Sequence, residues 1–219
     1  LLNIKPLQSL GNNLVTNGDF SQIGSELFNP NNVTARGDGV NTVNSDGTIT
    51  SELNSSNMGW TINASSYLNQ DKIYKVEWNV ISTNSSSGSF FYWNGVDSVS
   101  FGDISQVGSG VYYVKGNSSG SSADFRFNNA QINSTVTWSL SVKEVGQNWV
   151  FGTGWSIGDG YVASYDGSSG TQAIKQSGIA QPGKTYKINL NVVSNEGSGS
   201  NTIYLGGVIL NSSHLQAGS

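Results

Sequence analysis

The chain has 219 residues and a mass of 23.2 kDa, and Gly, Ser and Asn fill 90 of its positions, which argues against a mainly helical protein and for strands joined by turns. Hydrophobic residues make up 36% and charged residues only 11%, enough for a core and too apolar for a disordered chain. The net charge of −4 with no basic cluster argues against nucleic acid as a partner, because phosphate neutralisation carries that affinity, and the absence of cysteine excludes disulfides, zinc knuckles and a thiol nucleophile.

The start, Leu1-Leu2-Asn3-Ile4-Lys5, has no signal-peptide hydrophobic region. The longest apolar runs are about four residues, far from the ~20 needed to cross a bilayer, so no membrane insertion is expected. Residues 1–11 are expected to form an attachment segment that buries Leu1, Leu2, Ile4, Leu7 and Leu10 against a partner. The missing initiator Met points to processing or to a larger polypeptide.

Further along, Asn44-Ser45-Asp46-Gly47 carries the Asp-Gly pair of tight hairpin turns. Residues 67–96 then align without a gap to residues 179–208 at an offset of 112, with ten of thirty positions identical, among them Tyr74/Tyr186, Asn79/Asn191, Tyr92/Tyr204 and Gly95/Gly207. A repeat of this length is a duplicated domain and not one coil of a solenoid. In the first copy Tyr74, Val76, Trp78 and Val80 alternate with polar residues, and in the second Tyr186, Ile188, Leu190 and Val192 do so. Period two with one apolar face predicts a half-buried strand in each copy. A Ser/Gly/Asn loop follows, then a second strand at 90–93 or 202–205. Matching Phe91 and Trp93 to Ile203 and Leu205 assigns the first pair to the core and turns Phe90 and Tyr92 to the opposite face.

Three more strands are predicted at 111–114, 123–127 and 135–142, each rich in β-branched or aromatic residues and bounded by Gly, Ser or Asn. Tyr165-Asp166-Gly167 repeats the hairpin-turn signal. With no useful helical periodicity, the expected fold is all-β: tandem antiparallel β-sandwich or jelly-roll domains, the first at 12–145 and the second at 146–219. The second copy holds no counterpart of 111–145, so it is expected to be incomplete at its C-terminal end and to be completed by further chain or by a neighbouring subunit.

Several strings carry a resemblance. Asn13-Leu14-Val15-Thr16-Asn17-Gly18-Asp19-Phe20 resembles the opening of carbohydrate-binding-module-like jelly rolls with a galactose-binding-domain-like fold. Lys184-Thr185-Tyr186-Lys187-Ile188 and Ile203-Tyr204-Leu205-Gly206-Gly207 resemble two of their internal strands. Leu140-Ser141-Val142-Lys143-Glu144-Val145 is similar to the close of such domains in tail-fibre and other virion structural proteins of bacteriophages. The resemblance implies a structural calcium in some relatives, but Thr137-Trp138-Ser139-Leu140 departs from their acidic ending and no calcium-loop motif is present, so no cofactor is expected, with Asn17–Asp19 the one place a calcium would sit by analogy.

No catalytic constellation stands out. His214 is the only histidine, and Gly116-Asn117-Ser118-Ser119-Gly120 spells a nucleophile-elbow string between two strands instead of between strand and helix, where it reads as a hairpin loop. Arg36-Gly37-Asp38 spells an adhesion tripeptide of the kind that Gly/Asp-rich loops produce by chance. Most carboxylates fall in turns, without the fixed pair that glycoside hydrolysis requires. Aromatic side chains are what remains for binding chemistry, since sugar rings stack on Trp or Tyr planes. Trp78 and Trp93 are replaced by leucines in the second copy and read as core, which leaves Trp60, Tyr92 and Tyr204 as the candidate sugar contacts.

The expected function is that of a non-enzymatic structural component of a phage virion, a fibre or decoration protein that adheres to host-surface glycans. Expected partners are other virion proteins and copies of itself, a trimer being favoured, and the expected location is the virion. The alternative is a pair of carbohydrate-binding modules appended to a secreted bacterial polysaccharide-degrading enzyme.

Overall fold

The computed structural model describes residues 10–35, 38–54, 60–63, 68–116, 123–128, 130–160, 163–167, 170, 172–196 and 202–211, with the backbone alone for 53, 60–63, 208, 210 and 211. His214, Arg36, Gly37 and residues 117–120 of the elbow-like string lie outside them, as do residues 1–9 of the expected attachment segment. The strands in chain order are β1 Ile23–Glu26, β2 Val33–Ala35, β3 Val40–Val43, β4 Ile49–Leu53, β5 Trp60–Asn63, β6 Ile73–Thr83, β7 Ser89–Trp93, β8 Ser98–Asp103, β9 Gly108–Lys115, β10 Asp124–Asn128, β11 Ser134–Val145, β12 Val150–Phe151, β13 Trp155–Ile157, β14 Ala163–Tyr165, β15 Ile174–Lys175, β16 Ile203–Leu205 and β17 Val208–Asn211. Two compact units result, Asn17–Ile174 and the combination of Leu1–Thr16 with Lys175–Ser219.

The unit Asn17–Ile174 is an antiparallel β-sandwich of jelly-roll type. One sheet runs β3-β4-β11-β6-β9 with β1 alongside β11, and the other runs β2-β5-β10-β7-β8. The predicted alternation in β6 is observed: Tyr74, Val76, Trp78 and Val80 are buried while the residues between them are not. β6 lies at the centre of its sheet, paired with β11 on one side and β9 on the other. Between the sheets the core is aromatic. Phe90 meets Phe127 edge-on at 4.6 Å, Phe127 meets Trp138 edge-on at 4.7 Å, and Tyr92 lies 4.9 Å from Phe125. Such tilted and edge-on pairs add about 0.5–1.5 kcal/mol each beyond area burial. The indole of Trp138 also donates to Ser51 Oγ at 2.9 Å, and Ser51 in turn donates to Asn41 Oδ1 at 2.7 Å, so these three polar side chains form one chain.

The strand β7 corrects one expectation. Phe90 and Tyr92 are each 1% exposed and face the core, whereas Phe91 and Trp93 are half-buried on the outer face. All four residues are aromatic, so polarity cannot reveal which pair points inward. The pairing decides it: Phe90 stands opposite Phe127 and Tyr92 opposite Phe125, while Phe91 and Trp93 stand opposite the charged Arg126 and Asp124. Trp78, by contrast, is buried as expected.

Residues 146–174, expected to open the second domain, fall within the compact unit Asn17–Ile174. They form a strap held in three ways. Phe151 and Ile157 are buried with Ile73 and Val145 in a second small core, flanked by Phe20, Tyr113, Trp149 and Trp155. Lys72 Nζ donates to the Trp149 carbonyl at 3.1 Å, and Lys115 Nζ donates to the carbonyls of Phe151 and Gly152 at 2.9 and 2.8 Å. Burial in this setting pushes the Lys115 ammonium below its ordinary pKa. The third tie is the Asn17-Gly18-Asp19-Phe20 string. Asn17, in the left-handed region with φ 50°, donates to the Gln147 carbonyl, and its own carbonyl accepts the Trp149 indole N–H at 2.9 Å. The ring of Phe20 lies 5.2 Å from that of Trp149.

In the other unit, β16 and β17 form a hairpin whose turn glycines, Gly206 and Gly207, have φ of 57° and 84°. The strand expected over 186–192 takes no ladder partner: 184–196 carries no strand assignment, and Ile188 and Leu190 are 46% and 48% exposed. Alternation makes an isolated segment fit for a sheet, but the hydrogen-bonding neighbours that make β6 a strand come from β9 and β11.

Candidate functional site

The outer face of the second sheet brings together the residues best suited to hold a ligand. β7 and β10 run antiparallel, so Phe91 stands beside Arg126 and Trp93 beside Asp124. On the far side of β7, β8 places Ser100 opposite Phe91 and Ser98 opposite Trp93. On the far side of β10, β5 places Thr61 opposite Arg126 and Asn63 opposite Asp124. Two aromatic side chains thus lie next to each other on a sheet face, bordered by a charged pair and exposed serines.

Asp124 and Arg126 are two residues apart on one strand and so share a face. Arg126 Nε donates to Asp124 Oδ2 at 3.0 Å, and its terminal nitrogen donates to the same oxygen. The guanidinium carbon lies 5.9 Å from the centre of the Trp93 ring, a cation–π contact. The side chains of Arg126 and Asp124 are 26% and 12% exposed. The pairing therefore fixes the guanidinium fork before any ligand arrives, and a pre-ordered donor set loses less entropy on binding. The arrangement offers aromatic surface for C–H groups, donors from Arg126 and a carboxylate acceptor from Asp124.

The three candidate sugar contacts from the sequence have different surroundings. Trp60 stands in β5, opposite Ala35, with its side chain outside the described residues. Tyr92 is in the core at 1% exposure, against the expectation that it faces away, and cannot meet a ligand. Tyr204 is 59% exposed on β16, in the other compact unit. Phe91, Trp93, Asp124 and Arg126 are not among the candidates from the sequence, although Ala123-Asp124-Phe125-Arg126-Phe127 carries a signal for their face. In that strand the charges at 124 and 126 mark the outer face, and whatever pairs with them shares it.

Asp19 of the possible calcium position accepts from the Ser21 backbone N–H at 3.2 Å and from its hydroxyl at 2.9 Å. Those two bonds hold its carboxyl below the ordinary carboxylate pKa. Among the described residues, no group of three or more His, Cys, Asp or Glu stands together as a metal site.

No protein-family model matches the chain, and no curated protein matches it. Solved structures similar in part include the CBM22-1 xylan-binding domain from Paenibacillus barcinonensis Xyn10C, at 9% identity over 55% of this chain and 95% of that one, with a TM-score of 0.37. The CBM22-1-CBM22-2 tandem domain of the same protein matches at 9% identity over 69% of this chain and 60% of that one, with a TM-score of 0.40. A CBM4 structure matches at 10% identity over 59% of this chain and 98% of that one, with a TM-score of 0.34. At this level the likenesses assign neither a family nor a ligand.

Proposed function

We propose that the sandwich Asn17–Ile174 is a non-catalytic glycan-binding module whose binding surface is the outer face of the second sheet at Phe91, Trp93, Asp124 and Arg126. The observation that carries this reading is the pair of half-buried aromatic rings side by side on a sheet face, next to an arginine already fixed by its carboxylate. A pyranose presents C–H groups on its faces and hydroxyls on its rim, so it needs a flat apolar surface with donors and acceptors at its border. Arg126 donates to ring hydroxyls, Asp124 accepts from them, and Ser98 and Ser100 extend the polar rim along β8. The similarity of Leu140–Val145 to virion proteins supports placing the module on a phage particle, as a fibre or decoration protein that adheres to host-surface glycans.

A polysaccharide array spanning bacterial surface glycans and plant polysaccharides tests the reading. The full chain binds a subset of the panel, Trp93→Ala weakens that binding about tenfold or more, equivalent to about 1.4 kcal/mol, and Tyr204→Ala leaves it unchanged. A blank array, or Trp93→Ala bound as well as the parent chain, overturns it.

A further inference from the structure

Residues 184–196 carry the alternation of β6 without its neighbours. β6 is hydrogen-bonded to a strand on each side and buries its apolar face. In the second copy no described strand pairs with this run, and Ile188 and Leu190 of its apolar set are 46% and 48% exposed. The local geometry of the repeat is nonetheless retained. Tyr186 Oη accepts the Gln181 N–H at 2.7 Å, as Tyr74 Oη accepts the Asn69 N–H at 2.7 Å, so both copies lead into the strand through the same side-chain lock. An alternating segment with open main-chain groups and an open apolar face is a template for another strand.

We propose that residues 184–194 pair antiparallel with the same residues of a second copy of this chain, about a twofold axis at Asn189. Opposite residues in that register share a face, and they match: Ile188 meets Leu190 and Tyr186 meets Val192 on the apolar side, while Lys187 meets Asn191 on the polar side. Lys184 meets Ser194, so no lysine stands opposite another. A shift by two residues sets Tyr186 against Ser194 or Val192 against Lys184, and a shift by one turns the apolar set against the polar one. The contact is isologous and closes as a dimer. Two glycan-binding faces in one particle follow from it, and with them avidity without any new sugar contact.

The absence of cysteine in the chain makes the register directly testable. In the full-length Asn189→Cys variant the two thiols stand on opposed residues, whose Cα atoms are about 4.5–5.5 Å apart, within the range a disulfide spans. In Asn191→Cys they are separated by about four residues of strand, roughly 13 Å. The proposal expects Asn189→Cys to form a covalent dimer in air at least tenfold faster than Asn191→Cys, and Leu190→Lys added to Asn189→Cys to abolish it. It also expects sedimentation equilibrium of the unmodified chain to show a dimer at about 100 µM. A monomer at that concentration, or equal cross-linking of the two cysteine variants, overturns it.

Discussion

Tyr92 and Trp93 are consecutive residues with opposite surroundings. Tyr92 is buried against Phe125 in the core, and Trp93 lies on the outer face under the Arg126 guanidinium. Tyr92→Ala therefore opens a cavity between the sheets and is expected to cost about 3–5 kcal/mol of stability, seen as a lower denaturant midpoint with an unchanged slope. Trp93→Ala removes surface instead, and its expected stability change stays within about 1 kcal/mol, while glycan affinity falls. A second residue-scale consequence concerns the turn carboxylates Asp19 and Asp46. Ser21 holds the first through its backbone N–H and then its hydroxyl, Thr48 holds the second through its hydroxyl and then its backbone N–H, and both carboxyls are lowered from 3.8. A carboxyl whose folded pKa is depressed contributes stability above the unfolded value, and that contribution disappears as pH falls through the folded one. Urea midpoints measured from pH 7 to pH 2 should accordingly fall less steeply below pH 3.8 in the Asp19→Ala/Asp46→Ala double variant than in the parent.

At the scale of elements the strap 146–174 decides how far the sandwich extends. Gly146 has φ 64°, and a Cβ there would lie 2.5 Å from Ile157 Cδ1 and 2.7 Å from Phe151 Cζ, inside the second small core. Both the backbone conformation and the space demand glycine. Gly146→Ala is expected to destabilise the sandwich by about 2 kcal/mol or more, measured by thermal unfolding, whereas the same change at Gly158, with open space around its Cβ position, is expected to be near neutral. The strands themselves were legible in sequence wherever apolar and polar residues alternate, as in β6, β10 and β11. β7 was not, because Phe90-Phe91-Tyr92-Trp93 offers no polarity contrast and its inward pair is fixed only by the register with β10. That one ambiguity hides the candidate site, since the match to Ile203 and Leu205 assigns Phe91 and Trp93 to the core. The strap was hidden for a different reason: Asn17, Lys72 and Lys115 reach it through side-chain bonds to its carbonyls, contacts that no periodicity announces.

For the whole molecule, the repeat at an offset of 112 defines homologous segments but not equal structures. The same alternating strand is the buried centre of a sheet in Asn17–Ile174 and an unpaired run in the unit containing Lys175–Ser219. The sandwich carries both of its cores within Asn17–Ile174. A fragment of residues 17–174 is thus expected to fold cooperatively, with a melting temperature within about 4 °C of the sandwich transition in the full chain. The proposed glycan-binding face can be tested at single side chains. The chain has six tryptophans, and their indole N–H signals in a 1H–15N spectrum of the labelled protein separate that face from the core in one titration. With a glycan identified on the array, saturable shifts of the Trp93 indole and the Arg126 Nε–H are expected, with the buried Trp78 and Trp138 signals unmoved. Saturable binding that shifts Trp149 or Trp155 and leaves Trp93 in place would contradict the proposed face.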